Sequence, residues 1–246
     1  MSIMLPKPLQ CGFTALINPL IALFSRAKVN PNWLTTLGLM LNFCGAGSFA
    51  LGAKFGTRGN LEYVGWGGFF VLIGGLCDLL DGRVARSAGL STRFGALYDS
   101  VLDRYSEVIM FLGMGYYLVA QEYLYSSVFC FVALGGSMMV SYIRARAESL
   151  DIECKVGLMK REERIVWLGA GSLFCGLSML FIDPLYVLSY LEIDFFKPIY
   201  IFTYPLAVVA VLSNYTALQR ILHSRRTTIE RERRRENFVV TQEAVY

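Results

Sequence analysis

The chain has 246 residues, 55% of them hydrophobic, with a mean hydropathy of +0.48 and a net charge of +4. That is too apolar for an ordinary soluble domain, and several windows reach the roughly 20 apolar residues that one membrane-crossing helix needs. Alternating segments of about 10 residues, the mark of a membrane β-barrel, do not occur. The expected fold class is therefore an all-α integral membrane protein with one membrane domain. The six cysteines are scattered, with no CxxC and no Cys/His cluster, and read as reduced apolar fillers. The N-terminus contains prolines and lacks a basic segment before a clean apolar core, so no cleavable signal peptide is expected and the first span serves as anchor.

In chain order, residues 9–27 (QCGFTALINPLIALFSRAK) are apolar but short, interrupted by Pro19 and followed by basic residues. They are expected to form an amphipathic helix in the membrane surface. Six spans follow, at about 33–54, 62–87, 94–120, 123–148, 163–182 and 199–222. The juxtamembrane segment is then 1–30, the six-helix domain 31–222, and the charged tail 223–246. Lysine and arginine are retained on the cytoplasmic side. They concentrate before span one, between spans two and three, between spans four and five, and in the tail. Both termini are thus expected in the cytoplasm of a multi-pass cell-membrane protein. Tyr63, Tyr116, Tyr117, Tyr123, Tyr125, Tyr186 and Tyr190 gather at the opposite ends, as an aromatic belt does. Glycine pairs within the spans predict close helix packing or a dimer seam. The tail run RRTTIERERRREN reads as a solvated helix with i,i+4 opposite charges such as Glu230 and Arg234. It is also suited to an anionic leaflet.

Residues 77–107 place four carboxylates amid apolar sequence. On a helix, Asp78, Asp81, Gly82 and Ala85 share one face, and Arg86 extends it. On the next helix Gly95, Asp99 and Asp103 share one face. The link SAGLSTR is short, so the two helices are expected to be antiparallel neighbours with their acid faces meeting. Four carboxylates in low dielectric do not all stay ionised unpaired, and intramembrane acids are costly and usually functional. All-oxygen ligands select Mg²⁺, Mn²⁺ or Ca²⁺ rather than zinc. Four acids suit two ions about 3.5–4 Å apart, the geometry that clamps both the attacking and leaving oxygens of a phosphoryl centre. The plainer reading pairs each Asp with a nearby Arg at the membrane edge.

The string Asp78-x2-Asp81-Gly82-x2-Ala85-Arg86-x8-Gly95-x3-Asp99-x3-Asp103 resembles the signature of the CDP-alcohol phosphotransferases at every motif position. The resemblance implies a six-helix membrane enzyme, usually a homodimer, that moves a phosphatidyl group from a CDP-lipid to an alcohol and releases CMP. It implies that Asp78, Asp81, Asp99 and Asp103 hold two metal ions, Mg²⁺ with Mn²⁺ as substitute. Gly82, Ala85, Arg86 and Gly95 then receive the CDP moiety, and Asp103 acts as general base. Asn32 and Thr35 resemble a family segment that also touches the nucleotide. The alternative for that segment is a plain helix start capped by Asn30 or Asn32.

Ser141-Tyr142-Ile143-Arg144-Ala145-Arg146-Ala147-Glu148, with Arg161-Glu162-Glu163-Arg164 after it, resembles the branch of this family that makes phosphatidylinositol phosphate. Glu162 stands where that branch has proline, and Arg144 where it often has lysine. By that resemblance Arg144, Arg161 and Arg220 bind the phosphate of inositol 1-phosphate. Guanidinium forks suit phosphate oxygens. Charge alone does not separate inositol phosphate from glycerol 3-phosphate, and another polar alcohol is the remaining option. The expected partners are CDP-diacylglycerol, a phosphorylated polyol, membrane lipids and a second copy of the chain, with no nucleic acid. Rival classes are a divalent-cation transporter using the acids as its ion site and an inert scaffold. The acids lie near one membrane face rather than the midplane, and no duplicated half is evident, against the transporter.

Overall fold

The computed structural model describes residues 7–180 and 197–243. Among them are seven helices: α1 (Lys7–Arg26), α2 (Pro31–Phe55), α3 (Glu62–Ser87), α4 (Arg93–Ala120), α5 (Leu124–Glu148), α6 (Arg161–Ser178) and α7 (Tyr200–Glu243). No strand occurs among the described residues. Among the described residues four helices are long and apolar enough to cross a membrane: α2, α3, α5 and the Tyr200–Arg234 part of α7. The other two candidate spans fall short for a chemical reason. α4 carries Asp99, Asp103, Arg104 and Glu107 along its length, and α6 begins with Arg161-Glu162-Glu163-Arg164. With its apolar helices the chain is a membrane protein.

Local sequence explains the helix ends. Asn30 caps α2, its side chain accepting from the Asn32 backbone N–H at 3.1 Å, with Pro31 just inside the first turn, where its missing N–H costs nothing. Thr92 caps α4 by accepting from the Gly95 N–H at 2.9 Å. α1 continues through Pro19 rather than breaking there. Ile17 of α1 seats on Leu34, Leu80 and Val84. α7 does not stop at residue 222: the charged tail continues it to Glu243, as the solvated-helix reading expects.

In lipid, helices associate by close packing rather than by a hydrophobic drive, and glycines set the closest approaches. A Cβ on Gly65 of α3 would lie 2.8 Å from the Gly176 Cα of α6. The main core includes Phe49, Val71, Phe111, Met114, Leu168 and Phe202, with the Phe49 and Phe202 rings stacked at 5.9 Å. Tyr117 is a correction to the aromatic belt: it is fully buried against Phe49, whereas Tyr116 and Tyr125 are exposed. Tyr186 and Tyr190, with the end of the fifth candidate span, lie outside the described residues.

The helices bearing the acids are not packed neighbours. α3 packs on α2 and α6, α4 packs on α2 and α5, and α3 and α4 barely touch. They leave the short link as the arms of a cleft, with α2 at its back. The spacing expected to bring two acid faces together instead makes them the facing walls of an opening.

Candidate active site

Two adjoining cavities occupy this cleft. The smaller, about 530 Å³, is lined by Asn32 and Thr35 of α2, by Asp81, Gly82, Ala85 and Arg86 of α3, and by Gly95 and Asp99 of α4, among others. All six residues expected to receive CDP therefore line one space. The starts of α2 and α4 both open into it, and helix N-termini favour anions. The small residues leave room. A Cβ on Gly82 would meet nothing nearer than the Arg86 Nη1 at 3.4 Å.

The larger cavity, about 1020 Å³, is lined by Asp99, Asp103, Arg104, Ser141, Arg144, Lys155, Lys160, Arg161 and Arg220, among others. It contains all three arginines expected to bind an acceptor phosphate. Asp99 lines both cavities, Asp81 the smaller and Asp103 the larger, while Asp78 lines neither and is held by Arg161.

Each arginine also has a protein partner. Arg144 Nε donates to Glu148 Oε1 at 2.9 Å. Arg161 sits between two of the acids: its Nη2 donates to Asp78 Oδ2 at 2.5 Å, and its Nη1 lies 2.8 Å from Asp103 Oδ1. The second approach lacks hydrogen-bond alignment, leaving Asp103 Oδ1 buried without a hydrogen bond. Arg220 is buried, and donates through Nε to the Val156 carbonyl at 2.9 Å and through Nη1 to the Val140 carbonyl at 2.5 Å. Arg220 thus also shapes the segment between α5 and α6. Gly157 in that segment has φ +128 and packs against Thr216, a conformation that a side chain rarely adopts.

The acids form an all-oxygen donor set, which suits a hard divalent cation. Asp81 Oδ2 is aimed by Thr35, whose hydroxyl donates to it at 2.6 Å. Asp103 Oδ1 is buried without a hydrogen bond, although Arg161 Nη1 stands 2.8 Å from it. Among the described residues no three acidic, His or Cys side chains already converge at metal-ligand spacing; the Arg161 guanidinium intervenes between Asp78 and Asp103. The residues fit a cation through their chemistry and placement rather than as a closed cage.

Thr35 was expected to touch nucleotide. It lines the smaller cavity, is 3% exposed, and its hydroxyl also aims Asp81, with the Pro31 carbonyl 3.2 Å away. Asn32 lines the nucleotide-side cavity, while Asn30 makes the cap. Arg164, expected near the cytoplasmic surface, is wholly buried and paired with Glu107. No sequence spacing signals a pairing between those two helices. Glu162, in the proline position, is exposed in the first turn of α6, where an acid suits the helix dipole.

Residues 28–209 match the family model described as CDP-alcohol phosphatidyltransferase. The phosphatidylinositol phosphate synthase of Streptomyces avermitilis is 32% identical over 92% of this chain and 85% of its own. The archaetidylinositol phosphate synthase of Methanothermobacter thermautotrophicus is 34% identical over 60% of this chain and 68% of its own. Among solved structures, the phosphatidylinositol phosphate synthase of Mycobacterium tuberculosis with CDP-DAG bound superposes with a TM-score of 0.63 at 25% identity, covering 84% of this chain and 92% of that one. The same synthase in complex with manganese and citrate gives 0.64, covering 84% and 87%. The chain belongs to the CDP-alcohol phosphatidyltransferase family and is an enzyme of that class, similar to phosphatidylinositol phosphate synthases within it.

Proposed function

We infer that this enzyme transfers a phosphatidyl group from CDP-diacylglycerol to inositol 1-phosphate, releasing CMP and forming phosphatidylinositol phosphate. The observation that carries the reading is the pair of cavities joined at Asp99: one holds the whole expected CDP set, the other three arginines. The synthase relatives favour inositol phosphate over glycerol 3-phosphate, which the arginines alone would serve equally.

The diacylglycerol tails enter sideways from lipid. Gly82, Ala85 and Gly95 admit the cytidine against helix backbone, Asn32 lines its space, and Arg86 pairs with the diphosphate. Asp78, Asp81, Asp99 and Asp103 hold two Mg²⁺ ions, or Mn²⁺, with Thr35 fixing the Asp81 carboxylate. Bound there, the ions neutralise charge on the phosphoryl oxygens and on departing CMP. Arg144, Arg161 and Arg220 hold the acceptor phosphate and so orient the inositol ring. Asp103 accepts the proton of the attacking hydroxyl, whose oxygen forms the new bond to the lipid-side phosphorus.

The same reading places six spans in the membrane, with α4 and α6 crossing as polar-lined members of the bundle, both termini cytoplasmic and a homodimer as the working unit. The positive-inside bias supports the orientation. The domain boundaries at 31 and 222 go with it, near the matched stretch of 28–209.

An acceptor panel tests the assignment. Purified enzyme with CDP-diacylglycerol and Mg²⁺ is offered inositol 1-phosphate, glycerol 3-phosphate, serine or inositol, and CMP is scored. Release with inositol 1-phosphate well above the others is expected. Preference for glycerol 3-phosphate would reassign the acceptor. Divalent-cation flux in liposomes without nucleotide would instead favour the transporter.

A further inference from the structure

One buried charge cluster borders the larger cavity without a role in the chemistry just described. Glu107 of α4 is 2% exposed and Arg164 of α6 is 0% exposed. Arg164 donates to Glu107 Oε1 through Nε at 2.9 Å and also through Nη2, and its Nη1 reaches the Met159 carbonyl at 3.3 Å. Glu107 Oε2 accepts from Arg104 Nη1 at 3.4 Å, and Arg104 also bonds Ser141 on α5. Both oxygens of the Glu107 carboxylate are therefore occupied by guanidinium groups.

The placement of this pair is informative. Glu107 lies one turn beyond Asp103 on α4, and Arg164 lies one turn beyond Arg161 on α6, so the two contacts stack as rungs between the same helices. Among the described residues, α4 and α6 have no helix-on-helix packing of their own and are otherwise held through their neighbours. Their backbones scarcely approach: α4 is packed on α2 and α5, and α6 on α3 and α7. A buried ion pair is weak evidence of stability, since apolar residues of similar volume often serve as well, and its best-attested use is to fix register.

We propose that Glu107 and Arg164 are positioning residues that set the distance between Asp103 and Arg161, and hence between the acceptor hydroxyl's base and the acceptor phosphate's anchor. Glu107 lines neither cavity, and Arg164, which borders the larger one, has its guanidinium engaged by Glu107 and the Met159 carbonyl. The pair acts through the helices it joins, on the larger cavity only, because the smaller one is walled by α2, α3 and the start of α4. This inference rests on the roles given above to Asp103 and Arg161.

The test compares wild type with E107L/R164M, which removes both charges of the pair and leaves Arg104 its contacts with Asp103, at 3.6 Å, and Ser141. Purified variants are assayed for thermal unfolding and for steady-state kinetics in each substrate. A folded double variant is expected to show an acceptor KM raised about tenfold and kcat reduced about 100-fold, with the CDP-diacylglycerol KM within about twofold of wild type, because small misplacements of reacting groups are costly. R164K keeps the charge but loses the fork, and is expected to fall between the two. It carries the test if the double variant does not fold. A folded variant with wild-type acceptor kinetics overturns the proposal, as does an equal loss in both substrates or a failure of both variants to fold. R144A runs beside them. If wild type turns over inositol 1-phosphate and R144A raises its KM, the acceptor reading stands whichever way the Glu107 variants fall.

Discussion

The two cavities that meet at Asp99 are built in different ways. The smaller takes most of its walls from nearby stretches: the opening turns of α2, the last turns of α3, and the start of α4. Its key residues are small and its cations, Lys28 and Arg86, are exposed. The larger is assembled from α4, α5, the 149–160 segment, α6 and α7, and its arginines are already bonded to protein. The smaller cavity, proposed for the nucleotide, is a slot formed by three helix ends. The larger, proposed for the acceptor, depends on more distant tertiary contacts, so its geometry responds to changes far along the chain.

The strongest way to break this contrast is at the junction. Asp81→Asn and Asp103→Asn are expected to stop CMP release while leaving the protein inserted and folded. For Asp103 the loss should be about 100- to 10,000-fold, the range for a general base. Chelation of divalent cations should abolish turnover, and added Mg²⁺ or Mn²⁺ should restore it. Wild-type turnover in either variant would remove the acids from the mechanism. Next in size, Arg144→Ala should raise the acceptor KM about 10- to 100-fold, the worth of a lost charge-assisted hydrogen bond of about 1.5–3 kcal/mol. The CDP-diacylglycerol KM should not move. Arg86→Ala should do the reverse, and if both variants affect both substrates alike, the two sides are not separate.

Thr35→Val should weaken metal affinity about 10-fold or somewhat more, as loss of a partner behind a metal ligand does. Titration of Mn²⁺ against turnover reads this effect, and excess metal should largely rescue it. The smallest kinetic change belongs to packing. Gly176→Ala should destabilise by about 1–3 kcal/mol through overpacking against Gly65, seen as a lower unfolding temperature with both KM values unchanged.

The acid motif was legible because helical periodicity alone puts Asp78 with Asp81, and Asp99 with Asp103, on single faces. The proposed nucleotide set came from the resemblance, and its six residues do line one cavity. The roles of Thr35 and Arg164 were not legible. Thr35 meets Asp81 across 46 residues and Arg164 meets Glu107 across 57, and no local pattern encodes either pairing. Tyr117 has the right height for an aromatic belt, but its rotation about the α4 axis turns it inward. The length of the α3–α4 link shows that the two helices start close, not that they stay packed. Their divergence is set by α2, against which both lie.

The most direct measurement is a structure of the enzyme with CDP-diacylglycerol and Mn²⁺, located by anomalous scattering. The account predicts manganese among Asp78, Asp81, Asp99 and Asp103, with cytidine against Gly82, Ala85 and Gly95 and the larger cavity left for the acceptor. Manganese bound away from those carboxylates, or cytidine lying among Arg144, Arg161 and Arg220, would contradict it.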